Sequence, residues 1–248
     1  MTRVLGIIPA RLASTRLPRK VLRELVGRPL IAHVYAAARR SELLSEVLVA
    51  TDADEVVATC RALDIPAVLT SPDHPCGTDR VWEVAQRHPA DVYVNVQGDE
   101  PFVTRGHIER LVRPFAADAG TQVSTLKIRA TPAEVASPNA VKVVCDLRGR
   151  ALYFSRHPIP YDRDGRSGVT HFKHLGLYAY TAAALEMFHA APEGELERVE
   201  RLEQLRFLEH GIAISVTETD EPTIGIDTEE DFRAAEARLA ERSSTPRS

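Results

Sequence analysis

A chain of 248 residues with 31 basic and 35 acidic side chains carries a net charge of −4, which argues against a nucleic-acid partner, since such proteins are basic overall or on one face. The hydrophobic fraction of 44% is enough for a large core, and no apolar run approaches the ~20 residues of a membrane span, so no membrane insertion is expected. The length permits one large α/β domain or two small ones. Met1-Thr2-Arg3 leads straight into an apolar run, unlike a secretory leader. Cys60, Cys76 and Cys145 are scattered without a CxxC. That pattern gives no zinc signal and fits a reducing compartment, so a cytoplasmic location is expected.

In chain order, Val4 to Ile8 has the length and branched content of a buried strand, and Pro9 stops it. The loop that follows carries Arg11, Arg16, Arg19 and Lys20 with the hydroxyls of Ser14 and Thr15. In an open α/β sheet this loop lies at the carboxyl edge, where ligands bind. Cations and free N–H groups there suit a polyphosphate; a solvated basic loop is the competing reading. The loop matches neither GxxxxGK[ST] nor GxGxxG. After the turn at Gly27-Arg28-Pro29, a helix is expected over 29–40, a strand over 47–50, a helix over 55–63 and a short strand over 67–69. SPDHPCGT (71–78) reads as a loop, 79–87 as a helix, and 92–96 as a central strand closed by Gln97-Gly98-Asp99-Glu100-Pro101.

The second half changes character. Strands are expected over 123–128, 141–146, 151–154, 174–180 and 212–216, with a polar loop over 157–171. A long helix is expected over 195–210, with Gly211 as its C-cap, and a terminal amphipathic helix over 229–242. Residues 243–248 read as a disordered tail. The fold class expected is therefore α/β, with a mostly parallel sheet and crossover helices in one domain over 1–242. A smaller antiparallel portion is inserted at about 132–195.

Two carboxylates stand out. Asp99 follows the central strand, beside a glycine that admits a ligand close to the backbone, and is well placed to hold Mg²⁺ on a nucleotide phosphate. Capping of the next helix by Asp99 and Glu100 accounts for them equally well. Asp227, in GIDT, could join Asp99 on one divalent metal, although Asp227 or Thr228 as N-cap of the last helix is a complete alternative. Arg156 ends the strand ALYFSR. In HLGLYAY, His174 and Tyr178 alternate with leucines and so share a sheet face, either a polar pocket or a solvated surface. Periodicity does not distinguish Glu203 and Gln204.

Taken together, GIIPARLASTRLPRK, SPDHPCGTDR, NVQGDEP, SPNAVKVV, ALYFSRHPIPYDRD, FKHLGLYAY, LERVERLEQLRFLEHG and GIDTEED occur in the order of the 3-deoxy-manno-octulosonate (Kdo) cytidylyltransferases, which the chain resembles from Val4 to about Leu239. The resemblance implies a Rossmann-like nucleotide-diphospho-sugar transferase fold and a homodimer. It implies the reaction of CTP with Kdo to give CMP-Kdo and pyrophosphate, for lipopolysaccharide biosynthesis. Carried over by motif, Arg11 and Lys20 grip the CTP phosphates with Ala10 assisting, Gly77, Thr78, Arg80 and Gln97 line the nucleotide side, and Asp99 and Asp227 hold Mg²⁺. Arg156, His174, Tyr178, Glu203 and Gln204 form the Kdo pocket, and Ser14 and Arg16 lie near the join of the two ligands. One departure is visible. The family loop often reads RLPGK, whereas Arg19 stands here in place of that glycine, which matters if the position requires φ > 0. The rivals are a cytidylyltransferase for another acidic sugar (8-amino-Kdo or a sialic acid) and a catalytically silent nucleotide sensor.

Overall fold

The computed structural model describes residues 2–12, 17–165 and 168–244, with side chains through Ala240. The chain forms two compact units, one of residues 1–108 and 223–248 and one of residues 109–222.

In the first unit, β1 (Val4–Pro9) is buried along its whole length. Such a continuous apolar strand belongs inside a parallel sheet covered on both faces. A single 3₁₀ turn (Lys20–Leu22) and a small ribbon of β2 (Glu24–Leu25) and β3 (Arg28–Pro29) lead to α1 (Leu30–Ala38). There follow β4 (Glu46–Thr51), α2 (Asp54–Ala62), β5 (Ala67–Leu69), α3 (Gly77–Arg87), β6 (Val92–Asn95) and α4 (Arg105–Ala117), within which the chain passes to the second unit. The strand order β6-β1-β4-β5 is parallel throughout, with Ile7 opposite Leu48 and Asn95. The chain returns to this unit for its last helix, α9 (Glu229–Ser244).

The second unit contains β7 (Val123–Arg129), α5 (Pro132–Ala136), β8 (Lys142–Cys145), β9 (Ala151–Ser155), β10 (Phe172–Tyr180), α6 (Ala182–Ala190), α7 (Glu195–Glu200), α8 (Leu205–Glu209) and β11 (Ile214–Glu218). β10 runs antiparallel to β7 and β8, β8 antiparallel to β9, and β11 parallel to β7. The mixed α/β class and the antiparallel strands are thus as expected. Of the tail expected over 243–248, Ser243 and Ser244 instead continue α9, and 245–248 lie outside the described residues.

The helix expected over 195–210 is two. Arg201 adopts φ 55° and breaks it. The break folds α8 back along α7, so that the Arg206 guanidinium donates to both Glu197 carboxylate oxygens at 2.7 and 2.6 Å. It also lets the Glu209 carboxylate accept the N–H groups of Leu196 and Glu197 at 2.9 and 3.1 Å. Gly194 makes room for that carboxylate, since a Cβ there would lie 2.0 Å from a Glu209 oxygen. Helix α4 is the one anticipated after Asp99 and Glu100, and α5 and α6 are additions to the sequence reading. The last two start on threonine caps, with Thr131 accepting from Glu134 N–H and Thr181 from Ala184 N–H.

Arg19 settles the question that its substitution for glycine raised. Its backbone sits at φ 56°, ψ 28°, the left-handed region, immediately before Lys20. Its guanidinium pairs with Glu55. Left-handed backbone costs a residue with a Cβ about 1–2 kcal/mol, and an exposed ion pair returns about 0.2–1 kcal/mol. Arg19→Gly and Arg19→Ala both lose the pair, and only the alanine retains the strain. In denaturant unfolding, the alanine variant should therefore be less stable than the glycine variant by about 1 kcal/mol.

Candidate active site

The carboxyl edge of the parallel sheet is built by close contacts between strand ends. The Ala10 N–H donates to the Ala50 carbonyl at 2.8 Å, and Val96 N–H to Ile7 at 2.9 Å. A Cβ on Gly98 would lie 2.6 Å from the Pro9 carbonyl oxygen. This glycine does serve a close approach, but the backbone that approaches is the chain's own β1. Gly77, the first residue of α3, also faces Pro9 and the Gln97 amide, but at 3.8 and 3.9 Å from the position of a Cβ, an ordinary contact distance.

Asp99 follows β6, and its carbonyl accepts the Ile226 N–H at 3.0 Å. This one backbone bond brings Asp227 beside Asp99. Threonines cap the helices that follow both carboxylates. α4 starts six residues beyond Asp99, and there Thr104 Oγ1 accepts the His107 N–H at 3.2 Å. At α9, Thr228 Oγ1 accepts the Asp231 N–H at 3.2 Å while Asp231 Oδ2 accepts the Thr228 N–H at 2.8 Å. Both capping alternatives are thereby taken up by threonines. Lys20 Nζ donates instead to Asp99 Oδ2 at 2.6 Å and to Asp227 Oδ1 at 3.1 Å. Burial pulls the Lys20 ammonium down, but the two carboxylates outweigh it and hold its pKa above the ordinary value.

Behind this edge, the Arg11 guanidinium donates to the His74 carbonyl at 3.0 Å. Glu83 of α3 holds the 71–78 loop, accepting Ser71 N–H at 2.8 Å and lying 2.5 Å from His74 Nε2. Arg80 is fully buried and donates to Asp52 at 2.9 Å, to Thr70 Oγ1 and to the Ser71 carbonyl at 3.4 Å. Burial draws its pKa down and Asp52 opposes that. Arg80 thus braces the loop from within, and Ala10 has its N–H already committed, whereas Arg11, Lys20, Gly77 and Gln97 surround the strand ends. Thr78 lies buried in the first turn of α3. Ser14 and Arg16 lie outside the described residues.

In the second unit, the Phe154 ring meets His174 edge-on at 5.0 Å, His174 lies 5.3 Å from Tyr178, and Tyr178 stacks on Tyr180 at 5.6 Å. The expected shared face of His174 and Tyr178 is therefore present, even though β10 shifts register between Leu175 and Tyr178. His174 Nε2 lies 2.9 Å from Thr125 Oγ1. Burial raises the Tyr178 phenol well above its usual pKa, helped by the negative charge of Glu203. Gln204 is 7% exposed, and its Nε2 has no partner among the described residues, which leaves a buried donor to be satisfied by a ligand or water.

Arg156 lies just past the end of β9. Its guanidinium donates to the carbonyls of Glu200, Pro138 and Arg201 at 2.7, 3.1 and 3.2 Å. Of five guanidinium N–H groups, two remain for a ligand. No hydrogen bond or ring contact among the described residues joins Arg156 to His174 or Tyr178. Sequence reasoning passed over Lys142, inside SPNAVKVV. It is fully buried, and its ammonium donates to the carbonyls of Ser137, Ala140 and Arg156 at 2.8, 2.6 and 2.5 Å. Burial lowers its pKa. The apolar run KVV that marks β8 as a strand hides a lysine whose three protons are all consumed by main chain.

A family model described as cytidylyltransferase matches residues 5–215. The 3-deoxy-manno-octulosonate cytidylyltransferase of Acidobacterium capsulatum is 56% identical over 96% of this chain and 97% of its own. That of Koribacter versatilis is 53% identical over 97% of this chain and 91% of its own. The chain belongs to the 3-deoxy-manno-octulosonate cytidylyltransferase family. A solved structure of CMP:2-keto-3-deoxy-manno-octonic acid synthetase complexed with CTP matches it with a TM-score of 0.94 and 40% identity, over 97% of this chain and 100% of the other. A cytidylyltransferase from Leptospira borgpetersenii, at 16% identity and a TM-score of 0.67, shares the fold. The family read from the motifs is thus the family found.

His174 gives this site a pH signature. Burial lowers its pKa from 6.5 to about 3. The folded state therefore binds fewer protons than the unfolded state between those values, and stability is lost as pH falls through that window. Thermal melts should show full stability above about pH 6.5 and a decline toward pH 4 that His174→Asn reduces.

Proposed function

We propose that this chain transfers the cytidylyl group of CTP to Kdo, forming CMP-Kdo and releasing pyrophosphate. The observation that carries the reading is the Lys20 ammonium between Asp99 and Asp227, in a chain with 56% identity to a Kdo cytidylyltransferase. The anomeric hydroxyl oxygen of Kdo attacks the α-phosphorus. An O–P bond forms, the bond to the β-phosphate oxygen breaks, pyrophosphate leaves in line, and the hydroxyl proton passes to solvent. Such a reaction needs little covalent help from protein, and positioning and charge neutralisation dominate. Arg11 and Lys20 are suited to the phosphates. Gly77 and Gln97 shape the nucleotide side, and Arg80 braces the 71–78 loop from behind.

Mg²⁺ fits the donor set. Two carboxylates already hold a cation between them, and Mg²⁺ is usually bound by one or two carboxylates plus water and phosphate oxygens. Asp99 and Asp227 would hold it, and when bound it supplies neutralisation of charge developing on the α-phosphate. On the sugar side, the two spare N–H groups of Arg156 suit the Kdo carboxylate, and Gln204, His174, Tyr178 and Glu203 suit its hydroxyls. His174 acts as a neutral group at physiological pH. We place the enzyme in the cytoplasm, as a source of activated sugar for lipopolysaccharide. Three cysteines without disulfides fit that location, and no helix among the described residues is long and apolar enough to cross a membrane.

A homodimer formed through the second unit completes the reading. Leu147, Leu152, Leu196 and Val199 are exposed there, on the β8–β9 hairpin and α7. An obligate interface over such a surface buries about 2,000 Å² or more. Sedimentation at micromolar concentration should give the dimer mass, and monomer alone would refute it.

Activity is tested by pyrophosphate release from CTP with Kdo, 8-amino-Kdo and a sialic acid as alternative acceptors. Kdo should be the fastest. Asp99→Asn and Asp227→Asn should each lower turnover more than ~100-fold, the loss of several kcal/mol of charge stabilisation. Arg156→Ala should raise the KM for Kdo strongly and leave the KM for CTP little changed. Near-normal turnover in either asparagine variant, or the reverse KM pattern in Arg156→Ala, would overturn the corresponding assignment.

A further inference from the structure

Lys20 has two competing sets of partners and one side chain. It is suited to the phosphates of a nucleotide, yet in the free protein its ammonium touches the same two carboxylates that suit a divalent metal, at 2.6 and 3.1 Å. Two cations cannot both lie in contact with that oxygen pair, because their repulsion cancels what each gains from the carboxylates. We infer that Lys20 is a displaceable internal cation, which keeps a divalent metal off Asp99 and Asp227 until a nucleoside triphosphate draws the ammonium away. The inference rests on the reading of those two residues as the metal ligands.

The surroundings fit an exchange of partners. The backbone on either side of Lys20 is fixed. Arg19 is paired with Glu55, Val21 is buried, and Arg23 donates to both oxygens of Glu229 at 2.5 and 3.1 Å while lying 4.2 Å over the Phe232 ring. Only the lysine stem has to turn, and a four-carbon stem is flexible. The cluster is not sealed as a structural ion pair would be. The Lys20 side chain is 12% exposed, but Asp227 is 46% exposed, so one face of the carboxylate pair stays open to solvent.

Charge fixes the direction of the coupling. The cluster carries −1 with Lys20 seated between two carboxylates, and −2 once the ammonium has left. A triphosphate supplies anionic oxygens that replace both carboxylates as partners of the ammonium. The vacated pair then attracts a divalent cation that it previously repelled through Lys20. Nucleotide binding and metal binding at Asp99–Asp227 are therefore coupled, and by linkage each tightens the other equally. The metal enters with the nucleotide or after it, and the free protein is protected from idle metal occupancy.

Mn²⁺ binding, read from loss of the free-ion EPR signal, tests this without catalysis. Without nucleotide, the parent protein should bind Mn²⁺ weakly, and Lys20→Met should bind it at least tenfold tighter. Adding Asp99→Asn to Lys20→Met should abolish the gain. With CTP and no sugar, the parent should bind Mn²⁺ beyond what CTP alone takes up, again dependent on Asp99. Lys20→Gln repeats the comparison should the methionine variant misfold. Unchanged affinity in both lysine variants, with Asp99-dependent binding intact in the CTP arm, would overturn the inference and leave the metal assignment standing. No Asp99-dependent Mn²⁺ in any arm would overturn both.

Discussion

The ammonium of Lys20 joins Asp99 and Asp227 across 79 and 207 residues of sequence. Three parts of the first unit meet there: the loop after β1, the end of β6 and the approach to α9. The backbone bond from Ile226 to Asp99 sets the spacing of the two carboxylates. Their mutual repulsion is relieved by whichever cation lies between them, while the backbone keeps them together. Much else nearby follows from keeping that cluster in register. Thr104 and Thr228 take over the helix caps, Gly98 lets the β6 loop lie against Pro9, and Arg23 fastens the Lys20 turn to Glu229.

The second unit uses buried charge differently. Among the described residues, Lys142 has no carboxylate in hydrogen-bonding contact, and it spends its three protons on carbonyls. An ammonium so placed is costly to desolvate, and it remains worthwhile only while every donor is satisfied. One of those carbonyls is that of Arg156, whose side chain in turn donates to Pro138 in the same turn. The lysine therefore defines where the backbone of Arg156 lies, and Glu200 fixes it from the other side through the Arg156 N–H at 2.9 Å.

The parallel strands of the first unit were legible because a parallel sheet buries both faces, so each reads as a short apolar block with a turn signal after it, whereas the two-residue ribbon β2–β3 was read only as a turn. β5 at 67–69 was read to the residue. Helix α4 was anticipated after Asp99 and Glu100 but without bounds, because Pro114 and a mixed face obscure its period. The single helix read over 195–210 failed because periodicity continues through Arg201, and no local residue announces a left-handed break; the reason for it is tertiary, in Glu197, Arg206 and Glu209. At the site, Asp99 and Lys20 were legible as chemistry at a strand edge, while their contact was not, since nothing in a linear reading places residue 20 against residue 227. Glu203 and Gln204 were legible only through the family motif, for their helical setting looks ordinary. Lys142 was silent, because a lysine inside a strand normally points to water.

The Glu209 carboxylate that fills the space above Gly194 has a consequence for how the second unit moves. It caps a helix of six residues, far too short to persist alone. α7 therefore exists only while α8 is docked, and α8 is held to α7 by the Arg206–Glu197 fork. The two helices and the bend that carries Glu203 and Gln204 should therefore open as one cooperative unit, with their amide protons exchanging with solvent together. Glu203 and Gln204, which we propose face the sugar, are thus presented or withdrawn as a pair.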